Sequence, residues 1–266
     1  MIINGIGMSE YTKTKQNHLK IILDVHIRIS NCIIRKNQNF RKEFCYIDTN
    51  SGPGKYSYKG QEIMGSPMVF LNSSIKFNGQ VHAFFIDENY DSINALRKIS
   101  AIGFKMPKYD VRCFTGKNYE ILGDLEEARA IPRILGIVYV DPSGTIYADQ
   151  PKNQVTYFEI LSLLSEIPTF SIVDFLMNVS CSNIKRVRSC SLTKRIPTLR
   201  QAIEGIKGKK YWLIREPYAR HQWTFILGTN WYGFPEFEGI GLYHVRSKRG
   251  NEILEELNLT KSEMEE

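Results

Sequence analysis

Carboxylates and glycines follow three apolar runs of this sequence, in arrangements suited to holding a small ligand. The first is the segment Asp48-Thr49-Asn50-Ser51-Gly52-Pro53-Gly54, directly after an apolar run. Glycines in such a loop let the backbone approach a ligand closely and adopt positive φ. The dinucleotide pattern G-x-G-x-x-G is absent, so an acid before a small-residue loop favours a ligand with an amino group over a pyrophosphate. The alternative is an ordinary turn from a strand into a helix.

Asp87 is the second such carboxylate, and it closes the apolar run Val81–Ile86. A carboxylate at a strand end can accept hydrogen bonds from both hydroxyls of a ribose, as in nucleoside-binding α/β proteins. An Asp at this position can instead begin a helix as its cap. Paired with the glycine loop, Asp87 favours a ligand that contains a nucleoside.

The third group is Asp141-Pro142-Ser143-Gly144, which follows the apolar run Ile134–Val140. A proline after a strand-end Asp cannot continue the strand ladder, and it stiffens the turn. Such a turn can direct the carboxylate and backbone carbonyls into the mouth of a pocket. The alternative is a type I or II turn built from the same four residues.

These groups need a scaffold that brings the ends of separate strands together. Strand and helix patterns alternate through five rounds, which predicts an α/β fold with a mostly parallel sheet. Ligands of such sheets bind outside the carboxyl ends of the strands. Two late segments, Tyr211–Arg215 and Trp223–Leu227, predict an antiparallel hairpin at one edge. The five predicted core strands are Phe44–Asp48, Val81–Ile86, Val111–Phe114, Ile134–Val140 and Phe170–Val179.

Helices are predicted between these strands, and no linker divides the chain. We expect a single domain over 1–266, with an N-terminal helical segment at about 10–36, a core at about 40–230 and a charged tail at about 249–266. Asn89 is the predicted cap of a helix reaching Ile102, and Lys55–Gly65 is predicted to be a polar loop. The other predicted helices are Met68–Ile75, Tyr119–Ala130, Val155–Glu166 and Leu192–Ile206.

Composition excludes several classes of protein. The chain is 42% hydrophobic and 266 residues long, which argues against disorder. No apolar run approaches the ~20 residues of a membrane helix, so no membrane association is expected. The five cysteines form no C-x-x-C pair and the histidines show no ligand spacing, so we expect reduced thiols and no metal. A cytoplasmic location follows from that expectation.

The excess of positive charge is local. Lysines and arginines exceed acids by 35 to 28, and nine of them lie between residues 185 and 210, where Glu204 is the one acid. Aromatic residues follow this segment. Phosphate neutralisation beside stacking rings is how flipped or single-stranded bases are held, so a nucleic-acid partner is expected. The alternative is a solvated helix face. The predicted substrate-binding residues are Lys185, Arg186, Arg188, Lys194 and Arg195.

The motifs together resemble the three-Cys-motif partner protein (TcmP) family of methyltransferase-like proteins. The likeness runs from about Lys15 to Thr229 and rests on a Tyr-Ile-Asp, a Gly-Pro-Gly turn and a later Gly-Ser-Pro at 65–67. The family's Asp-Pro-aromatic-Gly is matched by the segment 141–144, and its fifth strand by 176–180. Two departures stand out: Asn50-Ser51 replaces an aromatic-alanine pair, and Ser143 replaces the aromatic residue.

The resemblance implies a Rossmann-like class I methyltransferase sheet with helices on both faces, and S-adenosyl-L-methionine as cofactor. It places Asp48, Gly52 and Gly54 at the methionine moiety, Asp87 at the ribose and Asn118 near the adenine. Lys15 is then expected to cover the cofactor carboxylate. The expected catalytic residues, where methyl donor meets acceptor, are Asp141, Pro142 and Ser143.

Three functions compete on these observations. The first is an S-adenosylmethionine-dependent methyltransferase acting on nucleic acid. The second keeps the fold without catalysis, as a cofactor-binding or scaffolding partner of another protein, and the non-aromatic Ser143 motivates it. The third, a nicotinamide-dependent oxidoreductase, is disfavoured because the fingerprint glycines are wrong.

Overall fold

The computed structural model describes residues 11–104, 107–125, 134–141, 161, 164, 172–181, 199–218, 223–231, 233 and 235–257. The chain packs as two compact units, Met1–Tyr139 and Val140–Glu266. Among the described residues, each unit contributes four strands of an eight-stranded sheet, and the first unit also contains a separate two-stranded hairpin.

The first unit is a parallel α/β arrangement. Its strands lie in the order β6-β1-β4-β5, and every neighbouring pair is parallel. Parallel neighbours need crossovers, which the intervening helices supply, so the carboxyl ends of these strands share one edge. The elements are α1 (Thr12–Lys36), β1 (Glu43–Asp48), β2 (Lys55–Tyr58), β3 (Gln61–Met64), α2 (Ser66–Ser74), β4 (Gln80–Asp87), α3 (Tyr90–Gly103), β5 (Tyr109–Thr115), α4 (Asn118–Asp124) and β6 (Leu135–Val140).

Stacked aromatic rings join β1 to the helix that follows it. The rings of Tyr46 and Phe70 are parallel with centroids 3.9 Å apart, and Phe44 also stacks on Phe70 at 6.0 Å. All three side chains are fully buried, as are Leu19 and Ile22 of α1. Burying an aromatic or leucine side chain contributes about 1.5–3 kcal/mol each, so this core fixes β1 and its carboxyl end in place.

The segment predicted to be a polar loop is instead an antiparallel hairpin, so that prediction is wrong. Strands β2 and β3 pair from Lys55↔Met64 to Tyr58↔Gln61. Positive φ at Lys59 (49°) and Gly60 (77°) closes the turn, because tight hairpins favour the left-handed region at both central positions. The hairpin returns to its starting point, where the Gly65 N–H donates to the Gly54 carbonyl at 2.7 Å.

The helices of the first unit largely match their predicted positions. Asn89 caps α3 as predicted, since its side chain accepts a hydrogen bond from the Ser92 N–H at 2.9 Å. Helix α2 begins at Ser66 with Pro67 in its first turn. Helix α4 begins one residue before its predicted start, and its predicted continuation over 126–130 lies outside the described residues.

The second unit is antiparallel in its described pairings. Its strands lie in the order β10-β8-β9-β7, which confirms the C-terminal hairpin and adds β10 to it. Ser247 caps α7 by accepting from the Gly250 N–H, and α7 extends to Glu256, within the segment expected to be a charged, frayed helical tail. The elements are β7 (Asp174–Ser180), α5 (Leu199–Glu204), β8 (Tyr211–Arg215), β9 (Trp223–Thr229), α6 (Pro235–Glu238), β10 (Leu242–His244) and α7 (Lys248–Glu256).

The predicted α/β class, a parallel sheet with an antiparallel C-terminal edge, is confirmed by these pairings. Among the described helices, none combines the length and apolar character needed to cross a bilayer. The four described cysteines, Cys32, Cys45, Cys113 and Cys181, are thiols. Most of the predicted helix Val155–Glu166 lies outside the described residues.

Candidate functional site

The glycine loop after β1 is bound to the strands on both sides. The Thr49 N–H donates to the Tyr139 carbonyl of β6 at 3.1 Å. On the other side, the Ser51 N–H and hydroxyl both donate to the Ile86 carbonyl of β4, at 2.9 and 3.1 Å. These three hydrogen bonds anchor the loop to both neighbouring strands at the carboxyl edge.

Asp87 joins this loop to the start of α3. Its Oδ2 accepts from the Gly52 N–H at 2.8 Å, and its Oδ1 accepts from the Asn89 N–H at 2.8 Å. The cap of α3 itself is Asn89, and the contact of Asp87 with a ribose stays a prediction. The carboxylate supports the helix N-terminus, and it lies directly against the glycine loop, half-buried at the strand end.

Asn118 brings a third strand end to the same place. It opens α4 after β5, and its Nδ2 donates to the Thr49 carbonyl at 3.4 Å. Consecutive loops after β1, β4 and β5 are thus connected to one another. Four residues predicted to contact the cofactor lie in this strand-end cluster: Asp48, Gly52, Asp87 and Asn118.

Two glycines of the loop are required by packing. Gly52 has φ +61°, and a Cβ there would overlap the Tyr56 hydroxyl. Gly54 has φ +78°, and a Cβ there would lie 2.7 Å from Cδ1 of Leu96. The phenol of Tyr56 on β2 thus occupies the space beside Gly52, so the hairpin packs directly against the glycine loop.

The strand-end cluster has a negative character. The carboxylate of Asp48 is fully buried, and its Oδ1 accepts from the Asn50 N–H at 3.2 Å. Asp87 adds a second carboxylate at the neighbouring strand end. A site of this kind attracts cationic groups and hydroxyl or amine donors, because acidic oxygens accept hydrogen bonds only.

In the second unit, Asp141 belongs to a chain of hydrogen bonds. Nδ2 of Asn178 on β7 donates to Oδ1 of Asp141 at 2.9 Å, and the Tyr218 hydroxyl donates to Oδ1 of Asn178 at 2.7 Å. Asn178 and Tyr218 are both buried. Burial, together with the nearby Asp141 carboxylate, raises the pKa of Tyr218 well above its usual value.

Of the remaining predicted site residues, Lys15 is among those that the structure describes. Lys15 lies half-buried in the first turn of α1, and its contact with a cofactor carboxylate stays a prediction. Pro142 and Ser143 lie outside the described residues. So do all five predicted substrate-binding residues, Lys185, Arg186, Arg188, Lys194 and Arg195.

The sequence analysis did not single out two tyrosines, one that contacts Asn178 and one that follows Asp87 closely in the chain. Tyr218 lies in the connection between β8 and β9, and no local pattern distinguishes it from an ordinary core tyrosine. Tyr90, three residues after Asp87, exposes 62% of its surface. The signal available in the sequence was an aromatic residue three positions after a strand-end acid. Among described residues, no group of three or more His, Cys, Asp or Glu could hold a metal ion.

Comparison with known proteins shows similarity at the level of fold. No family model and no curated protein matches the chain. Protein LPL1258 from Legionella pneumophila is 13% identical, with a TM-score of 0.50, over 83% of this chain and 89% of that one. A methyltransferase from Geobacter sulfurreducens is 11% identical, with a TM-score of 0.44, over 85% and 79%.

The methyltransferase domain of METTL16 is 12% identical, with a TM-score of 0.44, over 86% of this chain and 88% of that one. Other solved structures similar to this chain include S-adenosylmethionine-dependent methyltransferases from Listeria monocytogenes and Agrobacterium tumefaciens. Membership of the TcmP family stays a prediction.

Proposed function

We propose that this chain is an S-adenosylmethionine-dependent methyltransferase that acts on nucleic acid. The observation that carries the proposal is the strand-end cluster, in which Asp87 accepts from the Gly52 N–H beside Asp48 and Asn118. Its carboxylates suit a ligand with an ammonium group, ribose hydroxyls and a sulfonium charge. The amide of Asn118 adds a donor and an acceptor for a base.

The residues of the cluster bind and orient; the bound sulfonium supplies an already activated methyl group. Alignment of donor and acceptor then accounts for most of the acceleration, because holding two reactants in line removes most of the entropic barrier. Within this proposal, Asp48 and the loop backbone hold the amino-acid end, and Asp87 holds the ribose. Asp141, Pro142 and Ser143 are assigned to the acceptor.

Tyr90 extends the proposed nucleoside site. Its exposed ring is at the first position of α3, three residues after Asp87, and within this proposal it is assigned to stacking on the base. Stacking of a base on an aromatic ring contributes about 1–3 kcal/mol. Tyr90→Ala is therefore expected to weaken binding of S-adenosylmethionine by about fivefold to a hundredfold, measured by calorimetry, while Tyr90→Phe leaves it nearly unchanged.

The first test is binding of the cofactor. Isothermal titration calorimetry with S-adenosylmethionine and S-adenosylhomocysteine is expected to show one site, and Asp87→Ala is expected to abolish it. Asp91→Ala is the matched control, because Asp91 is an exposed acid in the first turn of the same helix. Failure of the wild-type chain to bind either compound refutes the proposed function.

The second test is methyl transfer. Incubation with methyl-labelled S-adenosylmethionine and separate samples of DNA, RNA and protein is expected to label a nucleic acid. Labelling of protein alone contradicts the nucleic-acid part of the proposal. Cofactor binding without labelling of any sample identifies the alternative, a cofactor-binding or scaffolding protein without catalysis.

The third test concerns the basic segment. Each phosphate that a lysine or arginine neutralises releases counterions. The logarithm of the affinity for DNA therefore falls linearly with the logarithm of the salt concentration, with a slope of about −0.9 for each phosphate contact. Replacing Lys185, Arg186 and Arg188 together with alanine is expected to lower the affinity and this slope. The control replaces Arg35, Lys36 and Lys98, which are exposed on α1 and α3. Equal effects of the two triple variants contradict a local nucleic-acid surface.

A further inference from the structure

We propose that Tyr218 and Asn178 are positioning residues, which hold the carboxylate of Asp141 in one orientation toward the methyl acceptor. The inference rests on the proposed methyltransferase function. Its basis is the chain of two hydrogen bonds from the Tyr218 hydroxyl to Asn178 and from Asn178 to Asp141, at 2.7 and 2.9 Å. We call these three side chains the Asp141 relay.

The phenol of Tyr218 determines which way the amide of Asn178 is oriented. A protonated phenol can donate to the amide oxygen of Asn178, and this leaves the NH₂ group to face the carboxylate. The reverse amide orientation would place its oxygen against the oxygen of Asp141, an arrangement of two acceptors without a proton. Because its pKa is raised by burial and by the neighbouring carboxylate, Tyr218 keeps its proton throughout the neutral range.

The relay is built on rigid elements. Asn178 is 1% exposed and pairs with Phe225 across β7 and β9. The ring of Tyr218 stacks on Phe225 with centroids 5.9 Å apart, and its backbone forms two hydrogen bonds with Trp223. Neither side chain can change rotamer without opening this packing, so the orientation of Asn178 is preorganised.

Asp141 needs such support because of where it lies. It is the first residue after β6, which ends at Val140, and its side chain is half-buried. A carboxylate at a strand end can rotate, and misplacement of a reacting group by about 1 Å can cost a hundredfold in rate. The amide of Asn178 anchors one of its oxygens. Residues 37 and 40 positions apart in sequence are thus coupled.

Tyr218→Phe is the sharpest variant, since it removes one oxygen and keeps the ring stacked on Phe225. Its expected effect is a fall in kcat of about tenfold to a hundredfold, with an unchanged dissociation constant for S-adenosylmethionine. The control is Tyr211→Phe, which removes a phenolic oxygen from β8, in the same unit, outside the relay. An unchanged kcat for Tyr218→Phe overturns the proposal.

Asn178→Asp gives a readout that a merely structural role would not produce. Two carboxylates then face each other at the distance of the present hydrogen bond, so one must take up a proton for the contact to survive. Activity is expected to be low at neutral pH and to recover as the pH falls toward 5, while the wild-type chain shows no such recovery. A pH profile parallel to that of the wild type contradicts the relay.

Hydrogen exchange of the Asn178 side-chain amide tests the two hydrogen bonds of the relay even if the chain transfers no methyl group. In ¹⁵N-labelled wild-type protein, the Asn178 NH₂ is expected to exchange slowly with water, and in Tyr218→Phe at least tenfold faster. Tyr211→Phe should leave it unchanged. Equal exchange in all three proteins overturns the relay, whereas absence of cofactor binding in calorimetry refutes the proposed function separately.

Discussion

The backbone N–H of Gly52 donates to Oδ2 of Asp87 at 2.8 Å, which joins two loops whose residues are 35 positions apart. The other oxygen of the same carboxylate accepts from the Asn89 N–H. Asp87 therefore organises the glycine loop before any ligand arrives, and its replacement affects the stability of the fold as well as binding.

Asp87→Ala is expected to lower the free energy of unfolding by about 1–3 kcal/mol, because two backbone donors lose their acceptor. Urea denaturation monitored by circular dichroism measures this. The exposed Asp91 lies in the first turn of α3, where an acid interacts favourably with the helix dipole, so Asp91→Ala is expected to cost less than about 1 kcal/mol. Equal losses in the two variants would show that the Gly52 contact contributes nothing.

Gly54→Ala tests the close packing of the loop. The alanine backbone must keep positive φ. Its methyl group must also displace Leu96, whose Cδ1 would be 2.7 Å away. Gly60→Ala introduces the same residue at nearly the same φ, with nothing within 4 Å. We expect about 1 kcal/mol of destabilisation at Gly60 from the backbone alone, and about 2–4 kcal/mol at Gly54. Thermal denaturation of both variants isolates the packing contribution, and equal losses would refute it.

Tyr56→Phe is expected to rescue part of the loss in Gly52→Ala. The hydroxyl of Tyr56 is the atom that a methyl group at Gly52 would overlap, so its removal relieves the contact while the positive φ remains unfavourable. A double-mutant cycle in urea denaturation measures the coupling, which we expect to be about 0.5–3 kcal/mol. Additive effects would show that the loop moves away from the phenol.

Lys209 predicts a pH dependence of stability. Burial lowers its pKa to about 8, although the Asp174 carboxylate opposes the shift. An unfolded lysine has a pKa of about 10.4, so between these values the unfolded chain holds a proton that the folded chain has released. The free energy of unfolding therefore rises with pH in this window, relative to Lys209→Met, by at most about 3 kcal/mol.

The difference between wild type and Lys209→Met, measured by urea denaturation from pH 7.5 to 10.5, tests this directly. Other groups titrate in the same pH window, and taking the difference between the two proteins cancels their contribution to the free energy of unfolding. Asp174→Asn supplies a second variant, in which the pKa of Lys209 should fall below 8 because the opposing carboxylate is gone. A difference that stays constant with pH would refute the prediction.

The parallel strands were predictable because burial on both faces gives continuous apolar runs. Val81–Ile86 and Ile134–Val140 each lie within or overlap an observed strand, and Asn89 marks the following helix with an ordinary capping signal. The position of Asp87 beside the glycine loop followed from topology alone, since the carboxyl ends of neighbouring parallel strands share one edge.

The elements that escaped prediction lack such a run. Strand β3 is largely exposed, and the hairpin turn Lys59-Gly60 is a weaker signal than Asn-Gly. Strand β10 has three residues, below the length at which alternation can be recognised. The contact between Tyr218 and Asn178 depends on how β7, β8 and β9 pair, and no local pattern records that pairing.

The two ends of the β2–β3 hairpin lie next to each other, because the Gly54 carbonyl accepts a hydrogen bond from the Gly65 N–H. The route from β1 to α2 therefore has the same span whatever sequence fills residues 55–64. Insertions, deletions or exchanges there can diversify a surface beside the glycine loop without lengthening the crossover. Tyr56 is the exception, because its hydroxyl lies against Gly52, so that a change at this position would alter the packing of the glycine loop.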